Sequence, residues 1–209
     1  YSQKELARHR SVLLQDTNIQ FPIRAQEVVY LGRYPYLNEF PEKENRRIIE
    51  ESLKLVGALH LRNRLYASLS GGEKQRVQIA RVLSQVWSEE PSCFKYIFMD
   101  EPVTALDLKY QHIIMSILRD LANRGYGVFV VLHDWNLAAA YSDQMSVLEN
   151  GVIFKTGSPS EIMQKSILEE IFEITMEVKA DTNGIPYSIP LGQKINEKIY
   201  KNQNQIQLK

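Results

Sequence analysis

Two short apolar runs constrain this chain more than anything else in it: Tyr96-Ile97-Phe98-Met99 and Val128-Phe129-Val130-Val131-Leu132. Neither alternates apolar with polar residues, as a strand with one wet face would. Continuous apolarity is what a parallel sheet covered on both faces requires. Between the runs, residues 108–124 read as a crossover helix, stopped by Gly125. Strand, helix and strand in that order form a βαβ unit and predict an α/β fold, a parallel sheet flanked by helices.

The ends of those strands carry the polar chemistry. The first run leads into Asp100-Glu101-Pro102 and the second into His133-Asp134. Ligands of open α/β sheets sit beyond the carboxyl ends of the strands, so these residues are expected at one shared edge. There Asp100 could hold Mg²⁺, directly or through water, and Glu101 could take a proton from an attacking water. His133 would be within reach of a terminal phosphate. Gln15 closes a shorter strand-like run, Ser11-Val12-Leu13-Leu14, in the same manner. Each residue also has an ordinary reading: adjacent acids solvate loops, and a histidine at a strand end is more often structural.

A second constellation is Leu69-Ser70-Gly71-Gly72-Glu73, directly ahead of a helix over 73–87. Val77, Ala80, Leu83 and Trp87 form one stripe of that helix, and Ile79, Val82 and Val86 a flanking one, so most of its circumference is buried. A helix N-terminus presents unpaired N–H groups and the positive end of a dipole, which attract anions. Glycines at 71 and 72 let that backbone approach a ligand that a Cβ would hold away, and Ser70 adds a hydroxyl. By itself the stretch fits a serine-capped loop equally well.

Further helices are expected over 25–32 and over 42–57, the latter with Ile48, Ile49, Leu53 and Val56 on one side. Asp134 is placed to cap a helix over 136–141. Glu149-Asn150-Gly151 and Asn183-Gly184 read as hairpin turns. Ser158-Pro159-Ser160-Glu161 is a capping box, and Ser166 to Glu169 repeats the pattern. Beyond Gln193 the polar tail is expected to fray. Lys plus Arg and Asp plus Glu both number 25, so no global charge draws the chain to nucleic acid, and none is expected as a partner. The single Cys93 fits a reducing compartment, and no apolar run nears the roughly 20 residues of a membrane helix.

In their order these motifs resemble the ATP-binding subunits of ABC transporters. Leu69 to Glu73 is similar to the ABC signature, with Glu73 where Gln is usual, and Tyr96 to Glu101 to the Walker B strand with its catalytic glutamate. Ala105-Leu106-Asp107 resembles the D-loop, His133 the switch histidine and Gln15 the Q-loop glutamine. The resemblance implies a P-loop NTPase-like ABC core over 1–178, containing a helical subdomain over about 20–87 and followed by a hairpin and tail over 179–209. It also implies ATP and Mg²⁺ as ligands, and two copies packed head to tail. Ser70, Gly71, Gly72 and Glu73 of one copy would then face the nucleotide of the other. Gln15 and Asp100 would serve the metal, Glu101 would be the general base, His133 would contact the γ-phosphate, and Asp107 would couple the two sites. Further implied partners are transmembrane permease subunits and, indirectly, a substrate-binding protein. The expected location is peripheral, on the cytoplasmic face of the cytoplasmic membrane.

One motif of the family is missing. A P-loop reads G-x-x-x-x-G-K-[ST], yet none of the ten glycines is followed by lysine. The aromatic residue that stacks on adenine has no counterpart either. Truncation ahead of Tyr1 and a degenerate, non-binding subunit both fit. The absent Met and the presence of Glu101 and His133 favour truncation, which predicts an active full-length ATPase and inactivity of these 209 residues alone.

Cargo signals are indirect. Phe21-Pro22-Ile23, Glu27-Val28-Val29 and Leu31 to Tyr36 resemble importers of iron chelates, haem and cobalamin. Trp87, the segment before Tyr96, Glu101 to Leu108 and His133 to Ala139 are most similar to haem importer ATPases. A siderophore or cobalamin importer is the alternative. From other classes, the alternatives are a soluble ABC ATPase acting on nucleic acid or the ribosome, and a permease-docking subunit without catalysis.

Overall fold

The computed structural model describes residues 2–15, 19, 21–87 and 95–191. Cys93 and the polar tail lie outside these. The chain divides into two compact units, Tyr1–His133 and Asp134–Lys209. The second begins ahead of the hairpin expected as a separate segment from 179, and includes it.

A helix not anticipated from the sequence opens the first unit: α1, Gln3–His9, capped reciprocally by Ser2 and Glu5. Strand β1, Arg10–Leu13, follows. A helical layer is then built from α2 (Ala25–Leu31), α3 (Glu42–Leu55) and α4 (Gly71–Val86). Ile48, Ile49 and Leu53 of α3 are buried, as their spacing predicts, and α4 buries Val77, Ile79, Ala80, Val82, Leu83 and Val86. Arg33 locks this layer. It is 1% exposed, donates from Nε to Asn45 Oδ1 (3.0 Å) and from Nη1 to Ser84 O (2.8 Å), and lies 4.3 Å from the centroid of the Tyr36 ring. Burial pushes its guanidinium pKa down. The acceptors and the ring face replace the water it has given up.

Strand β2 (Tyr96–Asp100), helix α5 (Leu108–Asn123) and strand β3 (Gly127–Val131) form the predicted βαβ unit. The sheet is parallel with order β1-β2-β3, and Leu13, Met99 and Val130 stand in register. Among the described residues one face of this sheet is covered. Leu13, Ile97 and Met99 are buried on one face, whereas Phe129 and Val131 on the other are 55% and 56% exposed. Phe98 stacks on Phe129 at 5.0 Å on that open face. The strand order supplies the reason. Both crossovers step across the sheet in the same direction, and right-handed crossovers then lay α4 and α5 on the same face.

In the second unit α6 (Trp135–Tyr141) is capped by Asp134, whose Oδ1 accepts the Leu137 N–H at 2.9 Å. Hairpin β4–β5 (Met145–Glu149, Val152–Gly157) leads to α7 (Pro159–Ile162) and α8 (Lys165–Phe172). Hairpin β6–β7 (Met176–Ala180, Pro186–Pro190) follows. Ala139, Met145, Val147, Ile162, Met163, Leu168 and Met176 make its core. The second capping box is not formed: α8 starts at Lys165, so Ser166 lies inside the helix, and Glu169 instead accepts the Met176 N–H at 3.0 Å. Ile167 and Leu168 in its first turn are buried, at 7% and 0% exposure.

Candidate active site

Adjacent parallel strands bring Gln15, Asp100, Glu101 and His133 to the carboxyl edge of one sheet. Asp100 is the last residue of β2, paired with Val131. One residue on, the Glu101 N–H still bonds to Val131 O at 3.1 Å, but its φ of 46° turns the chain away from the ladder. A left-handed conformation at a residue with a side chain costs on the order of 1–3 kcal/mol and persists where the surroundings enforce it. Here it aims a carboxylate along the sheet edge. His133 Nε2–H donates to Glu101 Oε1 at 2.5 Å, and Thr104 Oγ1 donates to Oε2 at 3.1 Å. Hydrogen bonds from His133, then Thr104, then Gln15 hold the Glu101 carboxyl below the usual carboxylate range, against the opposing pull of burial. The result is an ionised acceptor, shielded to 15% exposure, beside an imidazole that is 76% exposed.

The loop after Glu101 is clamped from two sides. Gln75 of α4 donates to Pro102 O (2.9 Å), and Gln111 of α5 donates to Leu106 O (3.0 Å). At its end Asp107 caps α5, its Oδ1 accepting the Tyr110 N–H at 3.0 Å. Asp107 is thus fixed by a local bond, with its backbone still in extended conformation.

The predicted signature forms the first turn of α4. Ser70 Oγ accepts the Glu73 N–H (3.3 Å) while Glu73 Oε2 accepts the Ser70 N–H (2.8 Å), a reciprocal capping box. The two glycines differ. A Cβ at Gly71 would meet nothing within 4 Å, so this position faces open space. A Cβ at Gly72 would lie 2.9 Å from Ala105 O. Close approach of the chain to itself, rather than to a ligand, therefore demands glycine at 72. Among the described residues no hydrogen bond or ion pair joins this turn to Glu101 or His133. The site consists of two half-sites, one able to receive an anion and one able to take a proton.

Three residues of this arrangement were not singled out for it by the sequence: Thr104, Gln75 and Arg64, whose Nη1 donates to Glu73 Oε1 at 3.1 Å. A hydroxyl three residues after a turn-forming acid is a local signal that could have pointed to Thr104. Gln75 and Arg64 act across tertiary contacts and leave no such mark. Trp87 ends α4 and lines a cavity of about 380 Å³ with Leu83, Val86, Leu121 and Tyr126.

A parallel sheet with strand-end Gln, Asp-Glu and His, beside a glycine-headed helix, defines a nucleotide-dependent ATPase of the ABC type. Residues 1–104 match the ABC transporter family, and the chain belongs to that family's ATP-binding, transport-ATPase subunits. Among curated relatives it is similar to the hemin import ATP-binding protein HmuV of Gloeobacter violaceus, 40% identical over 190 residues, 90% of this chain and 69% of that protein. The protein of the same name from Mesorhizobium japonicum is 41% identical, covering 89% and 72%. Among solved structures, an inward-facing metal-chelate type ABC transporter matches with a TM-score of 0.72 at 27% identity, over 90% of this chain and 74% of that one. The dimeric cassette MJ0796 bound to ADP and Pi matches with a TM-score of 0.64 at 30% identity, over 74% and 65%.

Proposed function

We propose that the protein is the ATP-hydrolysing subunit of an importer that moves haem across the cytoplasmic membrane. The observation that carries the hydrolytic part is the Glu101 carboxylate, held ionised and directed by His133 and Thr104 at the edge where Asp100 and Gln15 also end their strands. Similarity to two hemin import proteins at 40% and 41% identity supports the cargo. Iron-siderophore import is the second reading, favoured by the likeness to a metal-chelate type transporter.

In this reading two copies close head to tail around ATP. Ser70, Gly71 and Gly72 of one copy meet the terminal phosphate held mainly by the other, at a helix end whose outer face is open at Gly71. Glu101 accepts the proton of the attacking water. His133 exchanges its bond to Glu101 for one to the γ-phosphate, and Asp107 relates the two sites across the seam. Asp100 and Gln15 fit a Mg²⁺ ion, a hard cation that takes one or two protein oxygens and completes its shell with phosphates and water. Among the described residues no cluster of three His, Cys, Asp or Glu would hold a metal unaided. Bound there, the ion would neutralise charge on the β- and γ-oxygens. Residues 1–178 would form the ATP-binding domain, with the helical subdomain within it.

No described helix is long and apolar enough to cross a membrane. Attachment would run through permease subunits, to which the segment after Gln15 offers Phe21, Leu31, Tyr34 and Phe40, all exposed. The test is ATPase activity of the complete transporter with haem, ferric siderophore or cobalamin on its binding protein. Haem-selective stimulation that Glu101→Gln abolishes while ATP binding persists is the expected result. Stimulation by siderophore alone would replace the cargo, and full turnover by Glu101→Gln would remove Glu101 from its role.

A further inference from the structure

The signature of this chain carries an electrostatic problem. Its N-terminal turn is to receive a phosphate, yet the Glu73 carboxylate occupies that turn, with Oε2 on the Ser70 N–H at 2.8 Å. A carboxylate there suits the helix dipole, but it repels an incoming anion and takes a donor from it. Hydrogen bonding to Ser70 and the nearby Arg64 and Arg76 keep the group ionised, below the usual carboxylate range.

Arg64 answers the problem. Its Nη1 binds Glu73 Oε1 at 3.1 Å and its Nη2 binds Ser68 O at 3.2 Å, so one planar fork ties the carboxylate to the segment leading into the helix. Arg76 is committed elsewhere, bonding Gly57 O and lying 4.0 Å from the Tyr110 ring centroid. Lys74 lies 5.9 Å from the Tyr66 ring centroid. Among the described residues Arg64 is the ion-pair partner of Glu73.

We propose that Arg64 is a positioning residue for the signature: by pairing with Glu73 it offsets the carboxylate charge at the head of α4 and keeps the Gly71 and Gly72 amides receptive to the terminal phosphate of ATP bound by a second copy. This rests on the head-to-tail reading above. The consequence is that Arg64 matters because position 73 is acidic.

A double-mutant cycle in the complete, dimeric ATPase, titrated with MgATP, decides it. Arg64→Ala is expected to raise KM about tenfold, the size of one lost charge-assisted hydrogen bond, with kcat changed less than about twofold. In a Glu73→Gln background the same Arg64→Ala step should move KM by less than about twofold. High salt should narrow the first difference. Arg64→Lys, which keeps the charge but not the fork, should fall between and guards against misfolding of the alanine variant. Equal KM shifts in both backgrounds would mean that Arg64 acts only through the Ser68 carbonyl, and would overturn the proposal. So would an unchanged KM in Arg64→Ala. Hydrolysis by a strictly monomeric wild type would instead defeat the head-to-tail reading, and this proposal with it.

Discussion

Replacing each signature glycine by alanine separates fold from function. Both positions have negative φ, since neither is among the residues with positive φ, so alanine suits the helix at each. Relative to glycine it gains up to about 0.5–1 kcal/mol from reduced unfolded-state entropy and better propensity. At Gly71 nothing opposes that gain, because no atom lies within 4 Å of the added Cβ. At Gly72 the Cβ would sit 2.9 Å from Ala105 O and 3.7 Å from Leu106 Cδ2. The carbonyl belongs to a loop held by Gln75 and Gln111, so it cannot retreat freely, and overpacking of this kind costs about 1–3 kcal/mol. Gly71→Ala should therefore raise the Tm by about 1–3 °C, and Gly72→Ala should lower it by about 1–6 °C. If the head-to-tail reading holds, ATP-driven dimerisation and turnover should nevertheless fall about tenfold or more in both, since even the unopposed Cβ at 71 would then stand in the path of the phosphate. Thermal unfolding, sedimentation with MgATP and phosphate release on the complete protein measure all three quantities. Full turnover in Gly71→Ala would refute the phosphate role of this turn, and an undiminished Tm in Gly72→Ala would refute the packing argument.

Thr104→Val keeps the shape of the side chain but removes the donor to Glu101; kcat should fall about 3–10-fold with KM for ATP within about twofold, and Thr104→Ser should restore it. Equal kcat in the valine variant would show that the remaining donors, His133 and Gln15, suffice to direct the carboxylate. In the second unit, Leu168 is fully buried, so Leu168→Ala should destabilise that unit by about 2–5 kcal/mol in denaturant unfolding; a loss below about 1 kcal/mol would contradict its place in the core. Asp181 accepts the N–H groups of Ile185 and Asn183 at 2.8 Å each, and these bonds, the Ile185 one foremost, hold its carboxyl below the usual range. Its contribution should be complete above the unfolded pKa of about 3.9 and fade as pH falls through the lower folded value. Amide exchange at the β6–β7 turn should show that acid-induced loosening in wild type and not in Asp181→Asn.

Several levels of this molecule were legible in residue order. Two helix starts followed from caps that act within three residues, Ser70 with Glu73 and Asp134 with Leu137. The parallel βαβ unit followed from two apolar runs around a helix-length segment, and strand-end placement brought Gln15, Asp100, Glu101 and His133 to one edge. Ser166 misled because a capping pattern is local and does not report whether the residues ahead of it have already joined the helix, as Lys165 has.

By itself, then, the sequence determined most of the helices and strands, the parallel βαβ unit and which polar residues follow its strands, all of which depend on periodicity and on bonds between near neighbours. Only the tertiary structure decided that Glu101 adopts a left-handed turn under His133 and Thr104, that Gly72 exists to admit Ala105, and that Arg64 faces Glu73. Contacts of that kind join residues whose separation along the chain bears no fixed relation to their distance in space, so no local pattern encodes them.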